Sequence, residues 1–411
     1  MNTLVIGSGA REHALCISLS KDPAVSALVC APGNVGIASV ATCVPVDLSS
    51  PDAIAALAVE IDADFVIIGP EGPLVAGAAD AVRAKGIRAF GPSASAAQIE
   101  GSKTFANEVM AAAKVMTAAS AAFEDPDSAE EYLRSQPGPY VVKDDGLAGG
   151  KGVVVTADLD EAIAHARACA TAGRVVIEEC TVGPEVSLFA VVTDDGRIVP
   201  MVPAQDHKRV GDGDHGANTG GMGAYSPLPW ASPELVEETV RTVIRPVVDE
   251  LAARGCPFTG LLYAGLMLTD DGISVIEFNC RFGDPETQVV LARLTSPITE
   301  LLLGTGEPQW SDDAAVTVVV AAEGYPEKPI TGGVITGLDE AAAVPNVSVL
   351  HAGTKERVDG SVESAGGRVL SVTATGPSFA DARESAYAAV AKIHLAGSHY
   401  RSDIGHQAMN S

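Results

Sequence analysis

The chain has 411 residues, a length that predicts about two to four domains and excludes a single small module. Hydrophobic residues make up 47% of the chain and charged residues 19%, so a packed core is expected and a disordered chain is excluded. With 53 acidic and 27 basic residues the net charge is −26, which disfavours nucleic acid as a partner because such a surface repels phosphate backbones.

Strand and helix patterns alternate along residues 3–100. Short β-branched runs predict strands, and the periodic apolar segments between them predict helices. The strands are predicted at 4–6, 27–30, 65–68 and 88–90, and the helices at 11–20, 52–60 and 74–85. This alternation predicts βαβ units and a parallel sheet, whose ligands bind at the carboxyl ends of its strands. We therefore predict an N-terminal parallel α/β domain over residues 1–100.

The pattern changes after residue 100 to that of a larger α+β domain over 101–311, with a small lid subdomain at about 120–185. In the lid we predict strands at 140–143, 152–156 and 175–179 and a helix at 160–170. Outside it we predict helices at 102–113 and 233–253 and strands at 197–205, 261–268 and 273–279. A small C-terminal α/β domain over 312–411 is predicted from strands at 315–322, 333–337 and 368–375 and a helix at 378–393.

The turn GSGARE, residues 7–12, follows the first predicted strand and opens the first helix. Its two glycines let backbone N–H groups and a helix N-terminus approach a phosphate. A dinucleotide site is disfavoured, because Glu12 stands in place of the third glycine and the second strand ends without an acid for a ribose 2′-hydroxyl. A simple tight turn and a phosphate or sugar site, to which Arg11 would add positive charge, both remain open.

Two lysines flank the glycine-rich segment KDDGLAGGKG between two predicted strands. Glycines let the backbone fold closely over a ligand, and Lys143 and Lys151 can bind phosphates, so the segment predicts a flap over a triphosphate. It is not a Walker A loop, and an ordinary glycine-rich hairpin is the alternative. The later segment VIEECTVGPE can meet an adenine edge, with Glu185 on ribose hydroxyls, but surface carboxylates beside a turn explain it more simply.

The segment VIEFNCRFGDPETQ, residues 275–288, places Glu277, Asn279 and Arg281 on one face of a strand, because residues two apart share a face. A carboxylate and an amide oxygen side by side suit Mg²⁺, which prefers oxygen ligands and also takes substrate phosphates. Arg281 is placed to stabilise negative charge on a transferred group. The alternative, a solvated face at a sheet edge, is disfavoured by the apolar residues that alternate with these three.

A polar, glycine-rich loop over 205–227 is longer than a connection needs, and loops of that length are usually either functional or disordered. Its mix of Asp206, Lys208, Arg209 and Asn218 suits a cover over a substrate. His207 and His215 have no further ligand at a zinc-like spacing, so we expect both to be solvated loop histidines.

The seven cysteines contain no CxxC pair and no zinc spacing, which predicts reduced thiols. The N-terminus lacks the basic region of a secretory signal, and no apolar stretch approaches the roughly 18 residues that a membrane span needs. We therefore expect a cytoplasmic protein without a membrane partner.

Taken in chain order, these motifs resemble the ATP-grasp superfamily, and the full set is similar to its glycinamide ribonucleotide synthetase family. The combination of GANTGGMGAYSP with NCRFGDPETQ is highly specific. The likeness covers essentially the whole chain and is also carried by VIGSGAREHAL, IIGPEGPL, FGPSASAAQIEGSK, KDDGLAGGKGV, AQDHKRVGD, GLLYAGLM, HAGT and YRSDIG.

The resemblance implies an ATP-dependent carbon–nitrogen ligase of purine biosynthesis. ATP, with Mg²⁺ or Mn²⁺, would phosphorylate glycine, and the amine of 5-phosphoribosylamine would attack the glycyl phosphate to give glycinamide ribonucleotide, ADP and phosphate. A monomer is implied. The alternative within the superfamily is another carboxylate–amine ligase of nucleotide metabolism. A nucleotide-binding sensor would not require Arg281 beside the metal pair, and an NAD(P) oxidoreductase would require the missing ribose acid.

The resemblance also implies site residues, position by position. Glu277 and Asn279 would hold the metal, and Arg281 and Lys143 would be catalytic. Gly265 and Leu266 stand where many ATP-grasp enzymes carry a further acid, which leaves two protein ligands for the metal. ATP would contact Lys103, Lys143, Gly149, Gly150, Lys151, Gly152, Glu178, Glu179, Val182 and Glu185. Glycine and 5-phosphoribosylamine would bind among Gly7, Gly9, Arg11, Glu12, Asp206, Lys208, Asn218, Gly220, Gly221, Met222 and Asp284.

Overall fold

The computed structural model describes residues 1–147 and 152–409. The N-terminal strands are β1 (Asn2–Gly7), β2 (Ala27–Pro32), β3 (Thr42–Cys43), β4 (Phe65–Ile68) and β5 (Arg88–Phe90), and the helices are α1 (Ala10–Ser20), α2 (Pro51–Glu60), α3 (Glu71–Val75), α4 (Ala78–Arg83) and α5 (Gln98–Gly101), with a 3-10 turn at Ile37–Ser39. The strands pair in parallel in the order β3-β2-β1-β4-β5. The predicted parallel α/β architecture is confirmed, and the GSGARE turn lies at the carboxyl end of the central strand.

The helix predicted at 74–85 is broken in the structure. Helices α3 and α4 are separated at Gly77, whose φ of 94° is a left-handed conformation that favours glycine and does not continue a helix. The break leaves α3 as a short helix of its own. Its first residue, Glu71, lies in the cleft described below.

The lid is a small unit with its own hydrophobic core. It follows α6 (Lys103–Ala113), and its elements are β6 (Ser120–Phe123), α7 (Pro126–Ser135), β7 (Tyr140–Asp144), β8 (Val153–Thr156), α8 (Leu159–Ala172) and β9 (Val175–Glu179). The strands form an antiparallel sheet in the order β6-β9-β7-β8. Leu133, Val142 and Ile163 are among the residues buried between this sheet and its two helices.

The next part of the chain forms a second antiparallel sheet and a ribbon. Its strands are β10 (Glu185–Val192), β11 (Ile198–Pro200), β12 (Gln205–Asp206), β13 (Arg209–Gly211), β14 (His215–Asn218), β15 (Gly223–Ser226), β16 (Gly260–Thr269) and β17 (Gly272–Asn279), and its helices are α9 (Leu235–Thr239), α10 (Arg245–Ala253), α11 (Glu286–Arg293) and α12 (Ile298–Leu302), with a π-helical turn at Val240–Ile244. The sheet order is β11-β10-β16-β17, and β13 pairs with β14 as a two-stranded ribbon.

The C-terminal part is joined to the preceding one by a shared sheet. Its elements are β18 (Ala314–Ala321), β19 (Val334–Ile335), α13 (Leu338–Ala342), β20 (Val347–His351), β21 (Thr354–Glu356), β22 (Val362–Ser364), β23 (Arg368–Gly376), α14 (Phe379–Val390) and α15 (His406–Met409). The sheet order β12-β15-β18-β23-β20 combines strands from both sides of residue 312, and a smaller sheet has the order β19-β22-β21. No helix in the described residues is long and apolar enough to cross a membrane.

Residues 205–227 are more ordered than a loop. They form β12, the ribbon β13–β14 and β15, and His207 at their start is only 4% exposed. Its Nδ1 lies 3.8 Å from the Asp214 carboxylate, and its Nε2 lies 3.4 Å from the backbone nitrogen of Gly405. The expectation that His207 is solvated is therefore wrong, because a distant part of the chain covers it. His215 is exposed, as expected.

Two buried histidines join the N-terminal and C-terminal parts. The backbone N–H of His351, at the end of β20, donates to Nδ1 of His13 on α1 at 2.9 Å, and the ring centroids are 5.9 Å apart. Burial lowers the pKa of His13 from 6.5 to about 3, with a further contribution from His351, and burial lowers the pKa of His351 to about 4. Both rings are therefore neutral in the folded protein at pH 7.

We expect the free energy of unfolding to fall as the pH is lowered from about 6.5 towards 4. In this window the unfolded chain protonates both histidines and the folded protein does not, so stability falls by about 1.4 kcal/mol per pH unit for each fully titrating ring. Urea unfolding at pH 7 and pH 5 measures the difference in the free energy of unfolding between the two pH values. His13→Gln keeps a hydrogen-bond acceptor but has no ionisable ring, so it should make this difference smaller. The control His215→Gln should leave the difference unchanged. Equal pH slopes in the two variants would contradict the prediction.

Candidate active site

A cleft of about 600 Å³ lies where the N-terminal sheet, the lid, the second sheet and the C-terminal part meet. Each of these parts contributes a charged residue to its lining: Arg11, Lys143, Glu277 and Arg368. The sequence-predicted site residues that line the cleft are Arg11, Lys103, Lys143, Gly152, Glu178, Glu179, Glu185, Asp206, Lys208, Asn218, Gly220, Glu277, Asn279, Arg281 and Asp284.

The end of β17 brings an acid, an amide and a guanidinium together, as the strand periodicity predicts. Asn279 Nδ2 lies 3.5 Å from Glu277 Oε1, and Arg281 Nη2 lies 3.4 Å from Asn279 Oδ1. The register against β16 slips at this point, so that Ile276 is left as an extra residue. Its carbonyl accepts a hydrogen bond from Nζ of Lys143 at 3.1 Å. The irregular strand thereby fixes the lid lysine next to the Glu277–Asn279 pair.

Arg281 is held by two carboxylates from the N-terminal part of the chain. Its Nε lies 3.1 Å from Glu71 and its Nη2 lies 2.8 Å from Glu100. Burial raises the pKa of Glu71, but the guanidiniums of Arg281 and Arg11 outweigh it and hold that pKa at about 2. Against its own burial, the pKa of Arg281 is raised by Glu100 and Glu71. These ion pairs fix the guanidinium in its charged form beside Asn279.

Two lysines stand on the lid side of the cleft. Lys143 Nζ forms an ion pair with Glu178 at 2.6 Å. Lys103, at the start of α6, donates from Nζ to the carbonyl of Gly146 at 3.0 Å, and burial lowers its pKa despite the nearby carboxylate of Glu277. Two ammonium groups therefore stand together on this side of the cleft, and such groups can bind an anionic ligand.

Lys208 is surrounded by carboxylates on the opposite side. Its Nζ lies 3.3 Å from Glu185 and 3.9 Å from Glu277, whose side chains are each 39% exposed. Although burial lowers the pKa of Lys208, Glu185, Asp206 and Glu277 raise it well above its ordinary value. Burial, together with Glu286, Glu185 and Glu277, raises the pKa of Asp206 well above its own, against the effect of Lys208. Lys208 thus offsets part of the repulsion within this group of acids.

The Glu277–Asn279 pair fits a magnesium-type ion by its donor chemistry. One carboxylate and one amide oxygen are hard ligands of the kind that Mg²⁺ combines with substrate phosphates. Across the ladder Glu277 faces Gly265, which has no side chain to offer. Within residues 1–147 and 152–409, no group of three or more His, Cys, Asp or Glu residues is arranged to hold a metal. A metal at this pair would therefore complete its coordination with water or with substrate oxygens.

Some predicted residues do not line the cleft. Gly7 and Gly9 pack around the side chain of Glu12, which accepts from the Gly9 backbone N–H at 2.6 Å and pairs with Arg11 at 2.5 Å. Val182 is 81% exposed, Met222 is buried in a small apolar cluster, and Gly221 packs against Pro285. The predictions for Gly149, Gly150 and Lys151 lie outside the described residues.

Sequence reasoning assigned no role to several charged residues that line the cleft, among them Glu71, Glu100 and Arg368. Glu71 follows strand β4, so the rule that ligands bind at the carboxyl ends of parallel strands could have found it. Glu100 and Arg368 had no comparable signal. Arg368 begins β23, and its Nη1 donates to the carbonyls of Gly220 at 2.5 Å and Asp284 at 2.6 Å. These two carbonyls belong to distant segments of the chain.

The fold and this site define an ATP-grasp protein, in which a lid sheet and a second antiparallel sheet enclose lysines and an acid–amide pair. Family models described as the N domain, the ATP-grasp (A) domain and the C domain of phosphoribosylglycinamide synthetase match residues 1–100, 101–287 and 315–407. The chain belongs to the phosphoribosylglycinamide synthetase family.

Individual relatives are similar to this chain along nearly its full length. A phosphoribosylamine–glycine ligase of Streptomyces coelicolor is 60% identical over 418 residues, which cover 99% of each protein. The enzyme of that name from Mycobacterium leprae is 54% identical over 423 residues, covering 99% of this chain and 98% of the relative. A crystal structure of the Thermotoga maritima phosphoribosylamine–glycine ligase has a TM-score of 0.83 at 31% identity, covering 98% of this chain and 100% of that one.

Proposed function

We propose that this chain joins glycine to 5-phosphoribosylamine in an ATP-dependent step of purine biosynthesis. A carboxylate is a poor electrophile, so ATP first phosphorylates the glycine carboxylate. The amine of 5-phosphoribosylamine then attacks the acyl carbon, phosphate leaves, and glycinamide ribonucleotide forms. The observation that carries the proposal is that one cleft unites Lys143, the Glu277–Asn279 pair and Arg281, in a chain that is similar along its whole length to phosphoribosylamine–glycine ligases.

ATP would bind between the lid and the second sheet. Lys103 and Lys143 supply positive charge for its phosphates, and the end of β9, at Glu178 and Glu179, would border the adenine. Glu185, already beside Lys208, would accept hydrogen bonds from the ribose hydroxyls. The support for this placement is that all of these side chains line a single cleft, to which both the lid and the second sheet contribute.

Glu277 and Asn279 would hold Mg²⁺ or Mn²⁺. When bound, the metal would neutralise part of the phosphate charge. Arg281 would donate hydrogen bonds to the oxygens that gain charge as the phosphoryl group is transferred. Because Glu71 and Glu100 already hold its guanidinium, little reorganisation is needed at that moment.

The acceptor substrates would occupy the end of the cleft lined by Arg11, Asp206, Asp284 and Arg368. Two guanidiniums there can attract the phosphate of 5-phosphoribosylamine, and carboxylates can bind the ammonium group of glycine. We place the reaction in the cytoplasm, supported by seven cysteines that are all free thiols. A monomer would suffice, since residues of one chain line the whole cleft.

The test is ADP release from ATP and Mg²⁺ with glycine, with and without freshly generated 5-phosphoribosylamine, followed by mass detection of the product. We expect release to require both substrates and to yield glycinamide ribonucleotide. Release that depends on another amino acid or on bicarbonate would contradict the substrate assignment and favour another ATP-grasp ligase. No ADP release under any of these conditions would contradict the ligase itself.

A further inference from the structure

The C-terminal segment containing YRSDIG has no part in the function described so far. Residues 399–409, here named the strap, run from the end of the C-terminal domain to the ribbon β13–β14. The strap also reaches the cleft, because Gln407 lines it. Its contacts with the ribbon therefore lie close to the proposed active site.

Every residue of the ribbon turn, 212–214, is bound by the strap. Both backbone and side-chain groups take part on each side, so the two segments are complementary in hydrogen bonding. The bonds run from Arg401 Nη1 to Asp214 Oδ1 (2.6 Å), from Ser402 N to Asp212 Oδ1 (2.8 Å) and from Gly213 N to Asp403 Oδ2 (2.8 Å).

Arg401 is the centre of this contact. Its side chain is 1% exposed, and a guanidinium removed from water to that extent is tolerated only when it is paired and hydrogen-bonded. Asp403 binds it through two parallel hydrogen bonds of 2.7 and 2.6 Å, and the carbonyl of Arg209 accepts from Nη1 at 3.2 Å. These hydrogen bonds hold the guanidinium in one position, and through its bond to Asp214 the guanidinium also holds the ribbon turn.

The ribbon needs such support. A two-stranded antiparallel ribbon is at best marginally stable by itself in water, and the register of this one is irregular between Arg209 and Gly211. Lys208 immediately precedes it, and Asn218 at its other end donates from Nδ2 to the carbonyl of Val153 in the lid at 3.3 Å. The position of the ribbon therefore sets where Lys208 meets Glu185 and Glu277, and how the cleft wall meets the lid.

We propose that Arg401 is a positioning residue of the active site, which acts by fixing the ribbon and so holding Lys208 against Glu185 and Glu277. Arg401 itself does not line the cleft. The inference rests on the proposed nucleotide site, but it does not depend on which carboxylate and amine the enzyme joins. It predicts that Arg401 affects nucleotide binding through Lys208.

A double-mutant cycle on the dissociation constant of MgADP, measured by calorimetry on the full chain, tests this inference. We expect Arg401→Met and Lys208→Met each to weaken binding about tenfold, within the range seen for residues that share one network. In the double variant Arg401→Met should add less than about twofold, because there is no ammonium group left to position. Effects that multiply in the double variant would overturn the proposal.

Two further variants separate positioning from general destabilisation. Asp214→Asn removes the negative charge that Arg401 binds. Because the Asp214 side chain is half-exposed, this variant should fold even if Arg401→Met does not. Its effect on MgADP binding should show the same coupling to Lys208→Met. Arg293→Met is the matched control, because Arg293 is also buried and donates to carbonyls of the fold, but it does not contact the ribbon or the cleft. It should lower the unfolding midpoint while leaving MgADP binding unchanged.

The proposed function and the proposed role of the strap fail in different ways. Suppose that the Arg401 and Lys208 variants weaken MgADP binding in a coupled way, but that the wild-type protein forms no glycinamide ribonucleotide. This result would support the proposed role of the strap and refute the substrate assignment. If the wild type forms glycinamide ribonucleotide but the effects of the Arg401 and Lys208 variants are additive, the proposed role of the strap is refuted and the proposed enzyme activity is supported. An unchanged MgADP affinity in folded Asp214→Asn and Arg401→Met would also refute the proposed role of the strap.

Discussion

Replacing Arg281 with alanine is expected to lower kcat by about 10²- to 10³-fold, the loss typical when one donor to a developing oxyanion is removed. The guanidinium lies beside Asn279 and is held in its charged form by Glu71 and Glu100, so it is already in place before the phosphoryl group is transferred. Steady-state kinetics of ADP release with ATP, glycine and 5-phosphoribosylamine at saturation measure the change. An unchanged kcat with a raised KM would show instead that Arg281 only binds substrate.

The Arg281 variant needs a control for buried charge. Removing the guanidinium leaves Glu71 and Glu100 without their shared partner, and an unpaired buried carboxylate can destabilise the fold. Glu100→Gln combined with Arg281→Ala removes the more deeply buried of these charges. Glu100→Gln alone leaves Arg281 paired with Glu71 and should retain most of the activity. A double variant as active as Glu100→Gln would contradict the catalytic assignment.

Glu277→Gln is expected to lower kcat by about 10²-fold or more and to raise the Mg²⁺ concentration needed for half-maximal activity, because a divalent cation supplies several kcal/mol of charge stabilisation in such reactions. Although burial raises the pKa of Glu277, Lys208, Lys143 and Arg281 lower it, so the carboxylate is ionised and able to bind a cation at neutral pH. Glutamine keeps the shape of the side chain and removes the charge. Activity measured across a Mg²⁺ titration gives both quantities.

Glu185→Gln is the matched control for the metal assignment. Glu185 and Glu277 both contact Lys208 and are equally exposed, so each variant removes one carboxylate from the same cation. Glu185 is the proposed ribose ligand, and its variant should raise KM for ATP without changing the Mg²⁺ requirement. If Glu277→Gln gave the same kinetic pattern as Glu185→Gln, then Glu277 would not be a metal ligand.

Local sequence patterns were sufficient to predict many of the strands and helices. The strands predicted at 65–68 and 88–90 coincide with β4 and β5, and the strand predicted at 175–179 coincides with β9, because β-branched runs bounded by turn residues report a local preference. The period of two along β17 likewise predicted that Glu277, Asn279 and Arg281 meet. The helix predicted at 74–85 failed at Gly77, where a left-handed turn interrupts an apolar period that does not itself reveal it.

Contacts between distant segments of the chain could not be predicted from local sequence patterns. Arg281 and Glu71 are separated by 210 residues, and Arg368 and Gly220 by 148, so no spacing or periodicity relates them. The burial of His207 under Gly405 and the capture of the ribbon turn by Arg401 depend in the same way on how the C-terminal part packs against the rest. Neither arrangement is a property of the local sequence.

Local sequence was enough to predict the class of fold, the strand face with its acid and amide, and the lid lysine Lys143, since backbone preferences and side-chain periodicity act over a few residues. The tertiary structure alone decided which carboxylates hold Arg281, which guanidiniums enter the cleft from the C-terminal part, and what orders the ribbon beside Lys208. These depend on the packing of four parts of the chain around one cleft, where burial makes each unpaired charge costly and so selects its partner.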